Sequence, residues 1–227
     1  MTDLPRRQLN RIAKERRILD AALRVFSETG YSGTTMDALA SAAGLTKPTL
    51  YQYFASKEQL FSAMMLQQRD LMLDVFTHPS AKGMVQDLHQ FAWDYAGNVM
   101  RPEMLSLARL IIGEVQRFPE IGRAYQASGP DRLLNGIMAY LEAQRSAGRL
   151  VYDEAELAAQ DFWGLILSAP RNAALYLPDQ LPARADLARY IDNGLRVFLR
   201  AYSADPATDL ATLEAILNAR PSPTGDT

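Results

Sequence analysis

Two helical patterns separated only by Gly44, Leu45 and Thr46 constrain this chain more than any other feature. Before the gap, Met36, Leu39, Ala40 and Ala43 fall at i, i+3, i+4 and i+7, a single apolar stripe. Gly44 stops that helix, because glycine tolerates the left-handed backbone with which helices commonly end. After it, Thr46 is the candidate N-cap of the next helix, and Lys47 and Pro48 fall in its first turn, where proline forfeits no useful N–H. Leu45 and Leu50 then stand at the N′ and N4 positions of a hydrophobic staple.

The flanks extend the same logic. Ile12, Leu19, Leu23 and Phe26, with Ile18 and Ala22, form the stripe of a first helix that Gly30 ends, and Thr34 or Thr35 caps the second. The third helix, Lys47 to about Phe54, buries Leu50 and Phe54 and leaves Lys47, Thr49, Gln52 and Tyr53 free for contact, while Tyr51 suits either purpose. Ser56 with Gln59 is a capping box for a fourth helix that runs to about Phe76. Two short helices joined by a glycine turn, the second polar at its N-terminal end, match the docking geometry of helix-turn-helix proteins. Charge agrees: residues 1–60 hold nine Lys/Arg and six Asp/Glu, a net of +3, and the remainder holds fifteen and twenty, a net of −5. A basic head suits phosphate and an acidic body is repelled by it. The arm before the first helix adds Arg6, Arg7, Arg11, Lys14, Arg16 and Arg17, which read either as a solvated face or as groove contacts.

From Ile18 to Met64 the chain resembles the N-terminal domain of the TetR/AcrR family of bacterial regulators. The resemblance is carried by Ala21–Ala22, Phe26, Gly30–Tyr31, Thr34–Thr35, Ala40, Ala43–Gly44, Lys47 to Tyr51, Tyr53–Phe54 and Lys57–Glu58 with Leu60. It implies that Thr35, Tyr53 and Lys57 meet phosphates, that Thr46, Lys47, Thr49 and Gln52 read base edges, and that Tyr51 makes a mixed contact. Many members have glycine where Pro48 stands, so an amide contact to phosphate is absent there. The run RPEMLSLARLIIGEVQRFPEIGRAYQASGP, residues 101–130, resembles the C-terminal domain of regulators near multidrug-efflux operons.

Composition removes other classes. With no cysteine, disulfides, thiol redox sensing and cysteine-bound metal are excluded. The N-terminus has no apolar segment of a secretory signal, and no stretch approaches the ~18 apolar residues of a membrane helix. His78 and His89 lie eleven residues apart, His89 has Asp87 nearby but no carboxylate or histidine at i+4, and no nucleophile elbow, phosphate loop or dinucleotide turn occurs. No enzyme, no metal and no cofactor is expected.

Proline and glycine divide the rest into helices: a fifth over Met84–Val99, a sixth from Pro102 to Phe118–Pro119, and a seventh over Ile121–Ala147 kinked at Gly129–Pro130. An eighth is capped by Asp153 with Glu156 and bends at Pro170, a ninth follows Pro182, and a last covers Ala207–Leu217. The fold class is therefore all-α: an N-terminal three-helix helix-turn-helix domain (1–60), joined by helix four to a larger helical ligand-binding and dimerisation domain (61–218). A tail (219–227) is expected to be disordered.

In the family, helices matching the eighth and ninth pair with their twins, which implies a homodimer. Trp163, Leu167, Leu195 and Phe198 are apolar enough for that interface, though a monomer's core would use the same residues. Candidates for an effector pocket are Trp93, Met100, Met104, Ile111, Tyr125, Tyr140, Phe162 and Trp163. Such residues at helical spacing are core more often than cage, yet methionine-rich surfaces suit adaptable apolar binders. Arg109, Glu114 and Gln116 are candidates to orient the ligand. The expected protein is a cytoplasmic homodimeric repressor, released from a near-palindromic double-stranded DNA operator by a hydrophobic or amphipathic small molecule. The fourth helix is the expected coupling element. The alternative is a ligand-independent, DNA-bound scaffold that recruits another protein.

Overall fold

The computed structural model describes residues 6–70 and 83–219. They form eleven helices: α1 Arg6–Gly33, α2 Met36–Ala42, α3 Lys47–Tyr51, α4 Lys57–Asp70, α5 Met84–Val99, α6 Pro102–Glu114, α7 Pro119–Ser128, α8 Pro130–Ser146, α9 Ala155–Tyr176, α10 Arg184–Tyr202 and α11 Pro206–Asn218. The expected all-α class holds: among the described residues the single strand-like feature is an isolated bridge between Leu150 and Ser203. The expected end of the fourth helix near Phe76, the Pro79–Gly83 break apart from Gly83, and the tail beyond Ala219 lie outside the described residues.

The chain forms two compact units. The first contains α1–α4 with α6 and α7. Its core is Ile18, Ala22, Phe26, Tyr31, Leu39, Leu50, Phe54, Leu60, Phe61 and Met64, all buried. Phe26 stacks on Tyr31 at 5.7 Å between ring centroids, and Phe61 meets both edge-on at 5.2 and 5.4 Å. Tyr31 can join this cluster because Gly30 interrupts α1 with φ 73° and ψ 170°, a conformation that suits glycine and swings the last turn inward. Ile12 departs from the expected stripe: it is 50% exposed, as is Leu9 at 48%, so the packed part of α1 begins near Ile18. The helices α6 and α7, assigned to the body by sequence, pack against α1 and α4. Their corner is tight: a Cβ on Gly122 would stand 2.5 Å from Val115 Cγ2.

The second unit contains α5 and, from Arg132, α8 to α11. Leu88, Phe91, Ile137, Leu141, Phe162, Ile166, Leu195, Phe198, Leu199 and Leu213 fill its core. Gly194 brings α10 onto α9, since a Cβ there would lie 2.5 Å from the Leu165 carbonyl oxygen. The two arginine nitrogens of Arg196 hold Glu214 of α11 at 2.6 and 3.1 Å.

Three local expectations change. The expected seventh helix is two, α7 and α8: Gly129 takes φ −108°, ψ −86°, and Pro130 offers no N–H to continue the ladder. The Asp153–Glu156 capping pattern does not form; Glu154 is the extended N-cap of α9 and makes no side-chain cap bond. The third helix ends at Tyr51, where Gln52 N–H turns back to the Thr49 carbonyl at 3.2 Å and tightens the last turn.

Candidate nucleic-acid interface

The turn between α2 and α3 is fixed by its own hydrogen bonds. Leu45 N–H donates to Ala40 O at 2.9 Å and Gly44 N–H to Ser41 O at 3.0 Å, the paired bonds of a Schellman ending, with Gly44 at φ 67°. Thr46 caps α3 as expected, its hydroxyl accepting from Thr49 N–H at 3.4 Å and lying 2.8 Å from the Thr49 hydroxyl. Leu50 and Phe54 are buried beneath, so the helix is clamped from below. Above, Thr46, Lys47, Tyr51 and Gln52 are exposed, and Thr49 and Tyr53 are half-buried.

Thr35 is the N-cap of α2, accepting from Ala38 N–H at 3.2 Å while remaining exposed. Its neighbour Thr34 is buried and donates to the Gly30 carbonyl at 2.6 Å, so the two threonines divide the work of holding the turn and facing outward. Lys57 has a role that spacing did not reveal. Its ammonium donates to the carbonyls of Tyr31 at 2.7 Å and Thr34 at 3.1 Å and sits 4.3 Å from the Tyr31 ring centre. The Tyr31 hydroxyl donates to Glu58 at 3.2 Å. Burial, followed by the Glu58 charge, pushes that phenol well above the ordinary tyrosine range, and bonds led by the Ser56 hydroxyl hold the Glu58 carboxyl below its own. Ser56 also accepts from Gln59 N–H at 3.2 Å, but Gln59 reaches back to Ala55 N–H at 2.7 Å rather than to Ser56, a capping box shifted by one residue.

Four further residues join the head without a local sequence signal. Asp37 pairs with Lys47 at 2.9 Å, and that hydrogen bond raises the lysine pKa. The Arg11 guanidinium lies 5.9 Å from the Tyr53 ring centre, which brings the basic arm to the residues that follow α3. Glu114, a candidate for orienting a ligand, accepts from Ser32 N–H at 3.1 Å at the Gly30 turn, and Phe118 meets Tyr31 edge-on at 5.2 Å.

The effector candidates divide between the units. In the first, Met104 and Ile111 are buried and Tyr125 is half-buried. In the second, Phe162 is fully buried between Phe91 and Phe198 at 5.7 and 5.1 Å, and Tyr140 donates its hydroxyl to buried Asp87 at 2.9 Å. Trp93 lies under the Arg184 guanidinium at 4.3 Å, Trp163 meets Tyr95 edge-on at 6.1 Å, and Met100 packs partly buried against the core. Of the dimer candidates, Leu167, Leu195 and Phe198 serve the unit's own core. The exposed apolar residues of α9 and α10 are instead Leu157, Tyr176, Tyr190 and Val197. No helix among the described residues is long and apolar enough to cross a membrane.

Residues 18–64 match the family described as bacterial regulatory proteins, tetR family, and residues 86–204 match the AefR-like transcriptional repressor C-terminal domain. A TetR-family transcriptional regulator of Mesorhizobium loti superposes with a TM-score of 0.75 at 32% identity, covering 85% of this chain and 98% of that one. The flavonoid-responsive regulator FrrA does so with a TM-score of 0.68 at 31% identity, covering 84% and 97%. The HTH-type transcriptional regulator RutR of Escherichia coli K12 is 44% identical over 61 residues, which are 27% of this chain and 29% of RutR, so the chain spans under a third of that relative. These relatives and structural neighbours are transcriptional regulators, not enzymes.

Proposed function

The chain belongs to the TetR family of bacterial transcriptional regulators, and from that premise we propose that it is a cytoplasmic, homodimeric repressor released from its operator by a small hydrophobic or amphipathic ligand. The observation that carries the reading is the clamped α3. Buried Leu50 and Phe54 fix it, the Gly44 turn sets its direction, and Thr46, Lys47, Tyr51 and Gln52 stand exposed on a head of net charge +3. Thr46, Lys47, Thr49 and Gln52 read base edges; Thr35, Tyr53 and Lys57 bind phosphate; Tyr51 does some of each. Two of the three Lys57 N–H groups are held by carbonyls, so one is left for a phosphate oxygen.

A single short helix reaches too few bases, and two heads ~34–36 Å apart reach successive major grooves of a near-palindromic site. The partner is a second copy, docked through α9 and α10, whose exposed apolar residues are Leu157, Tyr176, Tyr190 and Val197. The candidate effector residues are, within the second unit, Trp93, Met100, Tyr140, Phe162 and Trp163, and, within the first, Met104, Ile111 and Tyr125. The flavonoid response of FrrA favours a planar aromatic ligand for this chain as well. A ligand that displaces α6 acts on the head through Glu114 as well as through α4.

Selection of bound duplexes from a random library, at two salt concentrations, tests this. Enrichment of an inverted repeat is the expected result. Salt-sensitive bulk binding without enrichment leaves the head an electrostatic anchor, and the recruiting scaffold becomes the better account. A thermal-shift screen of flavonoids and other planar aromatics is expected to raise Tm for at least one compound.

A further inference from the structure

The ion pair between Asp37 and Lys47 joins α2 to the first residue of α3, with side chains 67% and 50% exposed at 2.9 Å. Such an exposed pair contributes little to stability. The turn it spans is already fixed by the Gly44 hydrogen bonds and by buried Leu39, Ala40 and Leu50. A carboxylate on this face is repelled by every phosphate it approaches, which lowers affinity for any duplex. A lone lysine is a flexible point charge that settles on whichever phosphate is nearest, giving affinity without sequence information. Held by Asp37, the Lys47 ammonium is kept from that fate, and a donor stands beside an acceptor that has lone pairs to spare.

A G·C pair presents the complementary arrangement in the major groove: guanine O6 and N7 accept, and cytosine N4 donates beside them. We propose that Asp37 is a specificity residue of the DNA-binding head: with Lys47 it forms one reading unit in which Lys47 donates to guanine O6 or N7 and Asp37 accepts from cytosine N4, fixing one G·C pair in each half-site. Asp37 also stands in the first turn of α2, where a carboxylate favours the helix N-terminus. That role is local to α2 and has no dependence on the base opposite.

This assignment rests on the head being a DNA reader, so the wild-type protein is the control. Library selection is run on full-length wild type, Asp37→Ala, Lys47→Ala and the double variant, with melting curves for each. Wild type is expected to enrich an inverted repeat with a fixed G·C pair in each half-site. Asp37→Ala is expected to relax that position alone, cutting its preference roughly five- to hundredfold. It also binds unrelated duplex more tightly, with the salt slope steeper by about one per head as Lys47 turns to phosphate. In the Lys47→Ala background, Asp37→Ala is expected to leave nonspecific binding without that steeper slope. Retention of every fixed position by Asp37→Ala overturns the assignment, as does an equal weakening of all sequences with a lowered Tm, which is the signature of the helix-end role. Absence of any enriched motif with wild type is a failure of the DNA-reading proposal itself.

Discussion

The ammonium of Lys57 lies 2.7 Å from the carbonyl oxygen of Tyr31, across the turn that links α1 to α2. With its second bond, to the Thr34 carbonyl, it ties the first turn of α4 to the residues that set where α2 begins. A cation at the start of a helix opposes the helix dipole, and here two carbonyl oxygens and the face of the Tyr31 ring offset that cost.

Lys57→Ala is therefore expected to act twice. Loss of the two charged hydrogen bonds should destabilise the head by about 1–3 kcal/mol, read as a lower urea midpoint. Operator and random duplex should both bind more weakly, with a flatter salt slope. Unchanged stability with weaker DNA binding would show that the carbonyl contacts contribute nothing.

The carboxylate of Glu114 holds the other side of the same turn through Ser32 N–H. Glu114→Ala should speed hydrogen exchange at the Ser32 amide and weaken operator binding by about 1 kcal/mol. Glu114→Gln keeps an acceptor oxygen and should recover most of both. An alanine variant with wild-type exchange and affinity would remove α6 as a direct handle on the head.

Much of the head was legible in the sequence because its signals are local. Gly44, Thr46 and the Leu50–Phe54 pair each act within one turn, and the structure places them as expected. Lys57, Asp37 and Glu114 were not legible in the same way, because their partners lie 26, 10 and 82 residues away. In the body, Leu167, Leu195 and Phe198 read equally well as core or as interface, and only packing separates those uses. Asp153 with Glu156 has the spacing of a cap, yet the extended backbone at Glu154 starts α9 one residue later.

Gly194 makes a sharper demand than its neighbours. Adding a Cβ puts it 2.5 Å from the Leu165 carbonyl oxygen and 3.1 Å from Ile166 Cα, both backbone atoms that cannot swing aside. Gly194→Ala should force α10 away from α9 and destabilise the second unit by about 1–3 kcal/mol. The same displacement disturbs the face proposed for dimerisation, so sedimentation should find a weaker dimer. A variant as stable as wild type would mean that the two helices separate freely.

Gln52 and Thr49 distinguish reading from positioning within α3. Gln52 is exposed, so Gln52→Ala should relax one base position of the operator by about 1–3 kcal/mol and leave stability unchanged. Thr49 also bonds to the capping hydroxyl of Thr46, so Thr49→Ala should relax its own position and loosen the helix start. Thr49→Ser keeps the hydroxyl and should restore the cap. If both alanine variants weakened all duplexes equally, the assignment of these side chains to base edges would fail.

High pH offers a test of two phenols in the second unit. The Tyr202 phenol, bonded to Asp161, and the Tyr152 phenol, buried and bonded to Glu142, are each pushed up to about 12. In the unfolded chain a tyrosine titrates near ~10. A raised folded pKa means that the native state keeps the proton longer; the stabilisation is full below pH ~10 and is lost as pH rises from there through about 12. Wild-type urea midpoints should accordingly fall between pH 10 and 12, beyond the loss common to other tyrosine-containing helical proteins. Tyr202→Phe and Tyr152→Phe should each start lower at pH 8 and fall less steeply over that interval. Parallel pH curves for wild type and both variants would mean that these phenols lose their carboxylate partners in solution.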